Sequence, residues 1–247
     1  MIAIHAIISL VAKHHQGLNL EPQLCRAMKS GPNNEIRVVI VEDHQMFREQ
    51  LARLINKTDD MKVCGEADNV RDAFALIRQE RPTIAIVDIS LEGSSGLELL
   101  KDLRAYGIAV PILVLSMHDE SLYAERALRA GAGGYLNKHE SSVAVVNAIR
   151  EVLDGEIYLD PRFKSRMIKK MINGRDSSAR PINRLADREL EVFDLVGRGL
   201  TTHQIAKRLG LGVTTVNTYR ARIKKKLNLE NIARLRVEAG RWVQLGE

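Results

Sequence analysis

Four short apolar runs of this chain each end in side chains that carry a charge or a hydroxyl or amide group. The residues that follow the runs are Glu42-Asp43, Asp88, Ser116 and Asn137-Lys138. If the runs are parallel strands, these side chains all lie at the edge beyond the carboxyl ends of the strands, where open α/β sheets bind ligands. Carboxylates, a hydroxyl and an ammonium group at one edge predict a site for a divalent cation and a phosphoryl group.

Between residues 35 and 155, strand-like runs alternate with stretches in which apolar residues recur three and four positions apart, the spacing of helices. The strand-like runs are almost continuously apolar, which is typical of a sheet buried on both faces. The alternation predicts a doubly wound, flavodoxin-like α/β domain with five parallel strands and right-handed crossovers. The predicted strands are Ile36–Val41, Met61–Glu66, Thr83–Val87, Pro111–Leu115 and Gly134–Leu136, and the predicted helices are Gln45–Asn56, Val70–Gln79, Gly96–Arg104, Glu120–Ala130 and Ser141–Leu153.

Charge is distributed unevenly along the chain. Residues 35–155 carry 14 basic and 20 acidic side chains, residues 156–180 carry 7 and 3, and residues 181–247 carry 13 and 7. This split predicts that only the C-terminal part meets a polyanion. We interpret 156–180 as a linker with a helix at Pro161–Met171, and 181–247 as a small all-α domain. The helices predicted in that domain are Asp187–Gly197, Thr202–Leu209, Thr214–Leu227 and Ile232–Leu245.

The first 34 residues do not resemble a secretory signal, because their positive charge follows the apolar run instead of preceding it. We interpret 1–34 as an N-terminal extension that is disordered or an artefact of start-site choice, since Met28 lies eight residues before the first strand. No apolar stretch has the length of a membrane span. The two cysteines, Cys25 and Cys64, form no metal-binding or disulfide pattern. We therefore expect a cytoplasmic protein without a membrane partner.

The polar residues at the strand ends resemble those of the receiver domain of bacterial two-component response regulators over 35–155. That family has an acidic pair after the first strand, Asp after the third, Ser or Thr after the fourth and Lys after the fifth. Gly96, eight residues after Asp88, also matches. Taken alone, Asp88 is most simply a loop or capping residue and Lys138 a solvated lysine. Their joint occurrence at successive strand ends favours the functional interpretation.

The resemblance implies that Asp88 is the phosphoacceptor and that Mg²⁺ is the cofactor. The implied metal ligands are Glu42, Asp43, Asp88 and the backbone carbonyl of Ser90, and the implied phosphoryl-stabilising residues are Ser116 and Lys138. The residue types suit this chemistry, because Mg²⁺ prefers oxygen ligands and a carboxylate can form an acyl phosphate. An ammonium group would neutralise charge on the transferred group.

Two positions near this site leave questions open. Tyr135 is either the aromatic residue that turns inward when Ser116 is drawn toward the phosphoryl group, as the resemblance implies, or a half-buried tyrosine with its hydroxyl in water. Glu92 stands where many receivers have proline, four residues after the phosphoacceptor. This difference alters the loop beside the site but removes none of its chemical groups.

The stretch from Leu185 to Leu227 resembles the LuxR-type helix-turn-helix domain, and 35–247 as a whole resembles a NarL/FixJ-group response regulator. Two predicted helices are joined by a short turn through Gly210–Gly212, and the second would enter the major groove of double-stranded DNA. The matching residues are Arg188-Glu189, Glu191-Val192, Gly199, Ile205-Ala206, Leu209, Thr215-Val216 and Lys226-Leu227.

The second of these helices is basic and contains no acidic residue. A basic helix face alone is more often simply solvated, but its position after a helix and a glycine turn favours DNA binding. Val216, Tyr219, Ile223 and Leu227 form its predicted buried stripe. The residues that we predict to contact bases or phosphates are Thr214, Asn217, Thr218, Arg220, Ala221, Arg222, Lys224 and Lys225.

The leading hypothesis is a phosphorylation-dependent transcriptional regulator that is not itself an enzyme. A sensor histidine kinase would donate the phosphoryl group to Asp88, and a homodimer would form on phosphorylation and read two DNA half-sites. The resemblance implies that the unphosphorylated receiver covers the recognition helix.

Two alternatives remain at this stage. A phosphohydrolase of the haloacid-dehalogenase type would also use an Asp nucleophile and Mg²⁺, but it needs a second Asp where this chain has Ser90. A constitutive DNA-binding protein would keep the receiver only for dimerisation, and the complete set of acidic, Ser and Lys residues argues against such decay.

Overall fold

The computed structural model describes residues 35–117, 120–172 and 181–245. The predicted extension at 1–34 and the C-terminal part of the predicted linker lie outside the described residues. Within the described ranges, no helix combines the length and the apolar character needed to cross a bilayer.

Strands and helices alternate through the N-terminal domain, as predicted, with boundaries that differ by at most one residue. Five of the strands form one parallel sheet in the order β2-β1-β3-β6-β7. A two-stranded antiparallel hairpin, β4 and β5, lies just after β3, and the spacing of apolar residues did not predict it. The elements are β1 Ile36–Val41, α1 Gln45–Asn56, β2 Met61–Ala67, α2 Val70–Glu80, β3 Ile84–Asp88, β4 Ser90–Leu91, β5 Ser94–Ser95, α3 Gly96–Ala105, β6 Ile112–Ser116, α4 Glu120–Ala130, β7 Gly134–Asn137 and α5 Ser142–Leu153.

The sheet is buried on both faces because successive side chains of a strand point to opposite sides. In β1, Val38 and Ile40 belong to the apolar cluster beneath α1 and α5. Val39 and Val41 belong to the cluster beneath α2, α3 and α4. This three-layer arrangement brings the carboxyl ends of β1, β3, β6 and β7 to one edge, which is the edge predicted to carry the site.

The C-terminal domain is all-α in its described residues. Its central helix, α7, approaches α10 so closely that a Cβ atom at Gly197 would lie 2.4 Å from the Ala239 carbonyl oxygen. Phe193 and Trp242 pack edge to face across the same pair of helices, with ring centroids 5.4 Å apart. The helices are α6 Pro161–Ile172, a 3₁₀ turn Pro181–Arg184, α7 Asp187–Gly197, α8 Thr202–Arg208, α9 Val213–Lys226 and α10 Ile232–Leu245.

The two domains share one apolar core. Leu185 and Leu190, at the start of the C-terminal domain, belong to the same buried cluster as Leu97 of α3 and Tyr123 of α4. Burial of apolar area at such a junction is the main favourable contribution to docking of two domains. The described structure is therefore that of a docked pair of domains.

Candidate functional site

Three of the predicted site residues meet in a direct contact at the carboxyl edge of the sheet. Lys138 Nζ lies 2.5 Å from Glu42 Oε2 and 2.7 Å from Asp88 Oδ2. All three side chains are less than 5% exposed, at 4% for Lys138, 3% for Glu42 and 4% for Asp88. Because the interior of a protein screens charge weakly, the opposite charges attract one another strongly. The charge-assisted hydrogen bonds between them fix the geometry of the three side chains.

Burial and mutual contact shift the pKa values of the three side chains in this cluster. Burial raises the pKa of Asp88, and the nearby ammonium of Lys138 offsets this only in part. Burial and the charge of Asp88 likewise raise the pKa of Glu42. Burial alone would lower the pKa of Lys138, but Asp88 and Glu42 together raise it above its ordinary value. Lys138 is therefore charged at neutral pH, and the carboxyl groups take up protons more readily than exposed ones.

The acidic pair after β1 completes an oxygen-rich pocket. Ligand atoms of Glu42, Asp43 and His44 lie within 4.8 Å of one another. Asp88 Oδ1 is buried and has no hydrogen-bond partner among the described residues. Three carboxylates face one ammonium, so a divalent cation would balance the remaining negative charge. A hard cation with oxygen ligands therefore fits the donor set.

His44 Nδ1 lies 2.8 Å from Asp43 Oδ1, and its backbone N–H donates to Glu42 Oε1 at 3.1 Å. The imidazole is exposed, with 76% of its side chain open to solvent. His44 therefore orients the acidic pair from the solvent side.

The loop after β3 is shaped by Gly96. A Cβ atom at this position would lie 1.9 Å from the Asp88 carbonyl oxygen, which no side chain could tolerate. The Gly96 N–H donates to the Ile89 carbonyl at 2.7 Å and closes the hairpin. The loop thus holds Ser90, whose carbonyl is a predicted metal ligand, in the first strand of the hairpin.

Ser116 and Tyr135 both lie inside the domain. Ser116 ends β6 and is fully buried, and Tyr135 lies on the neighbouring strand β7 with no solvent exposure. The alternative of a half-buried tyrosine with its hydroxyl in water is therefore wrong, because the ring and hydroxyl are both enclosed. Tyr135 is thus enclosed in this structure, and its movement together with Ser116 stays a prediction.

The helices α8 and α9 form the predicted helix-turn-helix. Thr201 caps α8, because its hydroxyl accepts from the Gln204 N–H at 3.3 Å, and Val216 and Ile223 bury the inner face of α9. The side chains predicted to contact DNA and exposed on the outer face are Thr214, Asn217, Thr218, Ala221, Arg222 and Lys225, with Lys224 half-buried.

The structure differs from the prediction at Arg220. Its side chain is buried and donates a hydrogen bond to the Thr202 hydroxyl, which joins α9 to α8. Burial, with the charge of Arg236 adding to it, lowers the pKa of this guanidinium. Arg220 lies four residues after Val216 and three before Ile223, so it belongs to the inner stripe. In this structure its guanidinium lies between the two helices.

Comparison with known proteins identifies both domains. The model of the response regulator receiver domain matches residues 38–150, and the model of the bacterial regulatory proteins of the luxR family matches residues 183–239. The oxygen regulatory protein NreC of Staphylococcus carnosus is 31% identical over 201 residues, which cover 79% of this chain and 93% of NreC. The response regulator UvrY of Escherichia coli is 31% identical over 194 residues, which cover 78% of this chain and 88% of UvrY.

The chain belongs to the NarL/FixJ group of response regulators. Among solved structures, a LuxR-family response regulator from Aurantimonas sp. is 31% identical, with a TM-score of 0.53, and covers 56% of this chain and 99% of its own. RcsB from Salmonella enterica, bound to the promoter rprA with the phosphomimetic BeF3⁻, shares the fold at 21% identity, with a TM-score of 0.55 and coverage of 84% and 99%. The protein is a transcriptional response regulator with a receiver and a LuxR-type DNA-binding domain.

The response regulator docks its DNA-binding domain through polar contacts that the sequence did not predict. Arg126 in α4 donates to Asp187 Oδ1 at 2.9 Å and to the Leu185 carbonyl at 2.8 Å. Lys101 in α3 lies 2.5 Å from Asp187 Oδ2. Asp187 is therefore held by one cation from each of two receiver helices.

A second group of contacts reaches the loop that follows the predicted phosphoacceptor. Arg188 Nη2 donates to the Leu91 carbonyl at 3.0 Å, and the Gly93 N–H donates to the Leu209 carbonyl at 3.0 Å. Glu92 lies against Gly210, where an added Cβ atom would lie 2.3 Å from Glu92 Cγ. The turn of the helix-turn-helix thus lies against residues four and five positions after Asp88, and the start of α7 contacts the residue three positions after it.

This docking differs from the expectation that the receiver covers the recognition helix. The receiver contacts α7 and the turn before α9, while the outer face of α9 stays exposed. The docking contacts come from the N-terminal end of α7 and from the α8–α9 turn, and they leave the outer face of α9 exposed.

Proposed function

We propose that this response regulator accepts a phosphoryl group on Asp88 from a sensor histidine kinase, and that phosphorylation controls DNA binding by its C-terminal domain. The observation that carries the proposal is the buried Asp88 carboxylate, with one oxygen on Lys138 and the other without a hydrogen-bond partner among the described residues. A buried carboxylate with an unpartnered oxygen is costly, and it indicates a group that the site is built to receive.

In the transfer, the bond from phosphorus to the donor nitrogen of the kinase breaks and a bond from phosphorus to an Asp88 oxygen forms. Lys138 stays beside the new phosphoryl group and neutralises part of its charge. The Ser116 hydroxyl donates to a phosphoryl oxygen. Glu42, Asp43, Asp88 and the Ser90 carbonyl would hold Mg²⁺, which supplies a further positive charge at the transferring oxygens. The site has no second Asp two residues after Asp88, which favours retention of the phosphoryl group over rapid turnover.

The proposed DNA contacts follow from exposure on α9. Thr214, Asn217, Thr218 and Ala221 occupy its outer face near the N-terminal half, where a recognition helix reaches base edges. Arg222, Lys224 and Lys225 follow toward the C-terminal end and suit the phosphate backbone. The promoter complex of the structurally similar RcsB supports DNA as the partner of this domain.

The docking contacts suggest how the two events are coupled. Helix α4 begins four residues after Ser116 and carries Arg126, so a movement of Ser116 toward the phosphoryl group displaces a helix that holds Asp187. The Leu91 carbonyl, three residues after Asp88, is the acceptor for Arg188. Phosphorylation therefore weakens both groups of contacts and releases the DNA-binding domain, which then pairs as a homodimer on two half-sites in the cytoplasm.

The proposal is tested by incubating the full-length protein with acetyl phosphate and Mg²⁺ and measuring phosphoryl incorporation by intact mass. We expect Asp88→Asn to lose incorporation. The matched control is Asp59→Asn, the same change at an exposed turn, and it should incorporate phosphoryl as the wild type does. Labelling of Asp88→Asn on aspartate would contradict the assignment.

A further inference from the structure

The ammonium of Lys138 contacts a ring as well as two carboxylates. Its Nζ lies 4.7 Å from the centroid of the Phe47 ring. Two of the three N–H donors of the ammonium are used by Glu42 Oε2 and Asp88 Oδ2. The third side of the ammonium faces the ring, which carries partial negative charge on its face and attracts a cation.

Phe47 is fixed where it lies. It is the third residue of α1, which starts just after the acidic pair, and it packs against the buried cluster beneath α1 and α5. Its neighbour Met46 is 77% exposed on the same turn of helix. The ring is therefore anchored by the core on one side and by Lys138 on the other.

We propose that Phe47 is a positioning residue that holds the Lys138 ammonium beside Asp88, so that an arriving phosphoryl group meets a cation already in place. The inference rests on the proposed phosphorylation of Asp88. Without the ring, the lysine stem gains freedom, and a water molecule takes the third donor. Because catalysis by charge neutralisation depends on a preorganised cation, the rate of phosphoryl transfer falls.

The test compares rates of phosphoryl incorporation into the full-length protein from acetyl phosphate with Mg²⁺. Phe47→Leu stays apolar but removes the ring with part of the volume, and Phe47→Tyr keeps the ring. Met46→Leu is the matched control on the adjacent, exposed position. We expect Phe47→Leu to be slower by about tenfold, which lies between the values for an exposed and a fully desolvated cation–ring contact, while Phe47→Tyr and Met46→Leu stay within about twofold of wild type.

The outcomes separate this inference from the proposed function. Wild-type labelling on Asp88 with an undiminished rate in Phe47→Leu would overturn the positioning role alone. Equal slowing in Phe47→Leu and Phe47→Tyr would also overturn it, because a general packing defect and not the ring would then be responsible. Failure of the wild type and of Met46→Leu to label on Asp88 would overturn the proposed function itself, and the inference with it. Thermal unfolding of each variant verifies that all of them are folded.

Discussion

Arg126 of the receiver and Asp187 of the DNA-binding domain form an ion pair with 2.9 Å between the guanidinium Nη1 and the carboxylate Oδ1. Both side chains are largely buried, at 18% and 12% exposure. Lys101 approaches the other carboxylate oxygen from α3. One carboxylate thus ties the start of α7 to two receiver helices, and this relationship gives the proposed switch a contact that can be broken.

The Asp187 contact predicts the effect of removing its charge. Asp187→Asn should weaken docking, because a partly buried cation, Arg126, loses its counter-charge. The outer face of α9 is exposed in the docked form, but release lets two DNA-binding domains pair on two half-sites. We therefore expect the unphosphorylated variant to bind DNA about fivefold more tightly than the wild type, measured by fluorescence anisotropy. Glu49→Gln, which breaks an exposed ion pair with Arg53 inside α1, is the control. Unchanged affinity in Asp187→Asn would show that the pair does not restrain the DNA-binding domain.

Metal binding at the acidic pocket should depend on pH. Because the pKa values of Glu42 and Asp88 are raised, protons compete with a cation at a higher pH than they would for exposed carboxylates. The affinity for Mg²⁺ should therefore fall as the pH is lowered toward these pKa values. Calorimetric titration at pH 7.5 and pH 5 should show weaker binding at the lower pH. Equal affinity for Mg²⁺ at both pH values would contradict the raised pKa values of Glu42 and Asp88.

Base contacts and phosphate contacts on α9 should differ in their sequence dependence. Asn217→Ala removes an exposed amide that can pair bidentately with adenine, and we expect a loss of about tenfold to a hundredfold on a specific promoter fragment. Binding to a scrambled fragment should stay close to wild type. A loss of equal size on both fragments would assign Asn217 to the phosphate backbone instead.

The buried position of Arg220 predicts that it does not behave as a phosphate contact. Lys225→Met should reduce the slope of log affinity against log salt by about 0.9, the value for one neutralised phosphate. Arg220→Met should leave that slope unchanged and lower the free energy of unfolding by about 1 kcal/mol, since it loses the hydrogen bond to Thr202. Anisotropy titrations of both variants against salt, with urea unfolding of each, decide whether Arg220 contacts phosphate or lies buried between α8 and α9.

The sheet and its polar edge could be predicted because they depend on local patterns. Buried parallel strands are apolar throughout, and the side chain that follows each strand then lies at a known edge. This logic predicts that Glu42, Asp88 and Lys138 lie at one edge, and the structure has them in direct contact. It did not predict the hairpin Ser90–Leu91 and Ser94–Ser95, because two-residue strands carry no periodicity.

The docking contacts could not be predicted in the same way. The sequence pattern around the charged residues Asp187, Arg126 and Lys101 is that of solvent-exposed helix faces. Only the tertiary arrangement shows that these three side chains converge. Arg220 is different, because its spacing from Val216 and Ile223 already placed it on the inner stripe. Its basic character favoured an exposed DNA contact, whereas the structure buries it against Thr202.

The measurement that tests the account most directly is the affinity of the full-length protein for a promoter fragment, with and without acetyl phosphate and Mg²⁺, in the wild type and in Asp88→Asn. We predict that the phosphodonor raises the affinity of the wild type by at least about tenfold and leaves Asp88→Asn unchanged. Equal wild-type affinity under both conditions would contradict the claim that phosphorylation of Asp88 controls DNA binding.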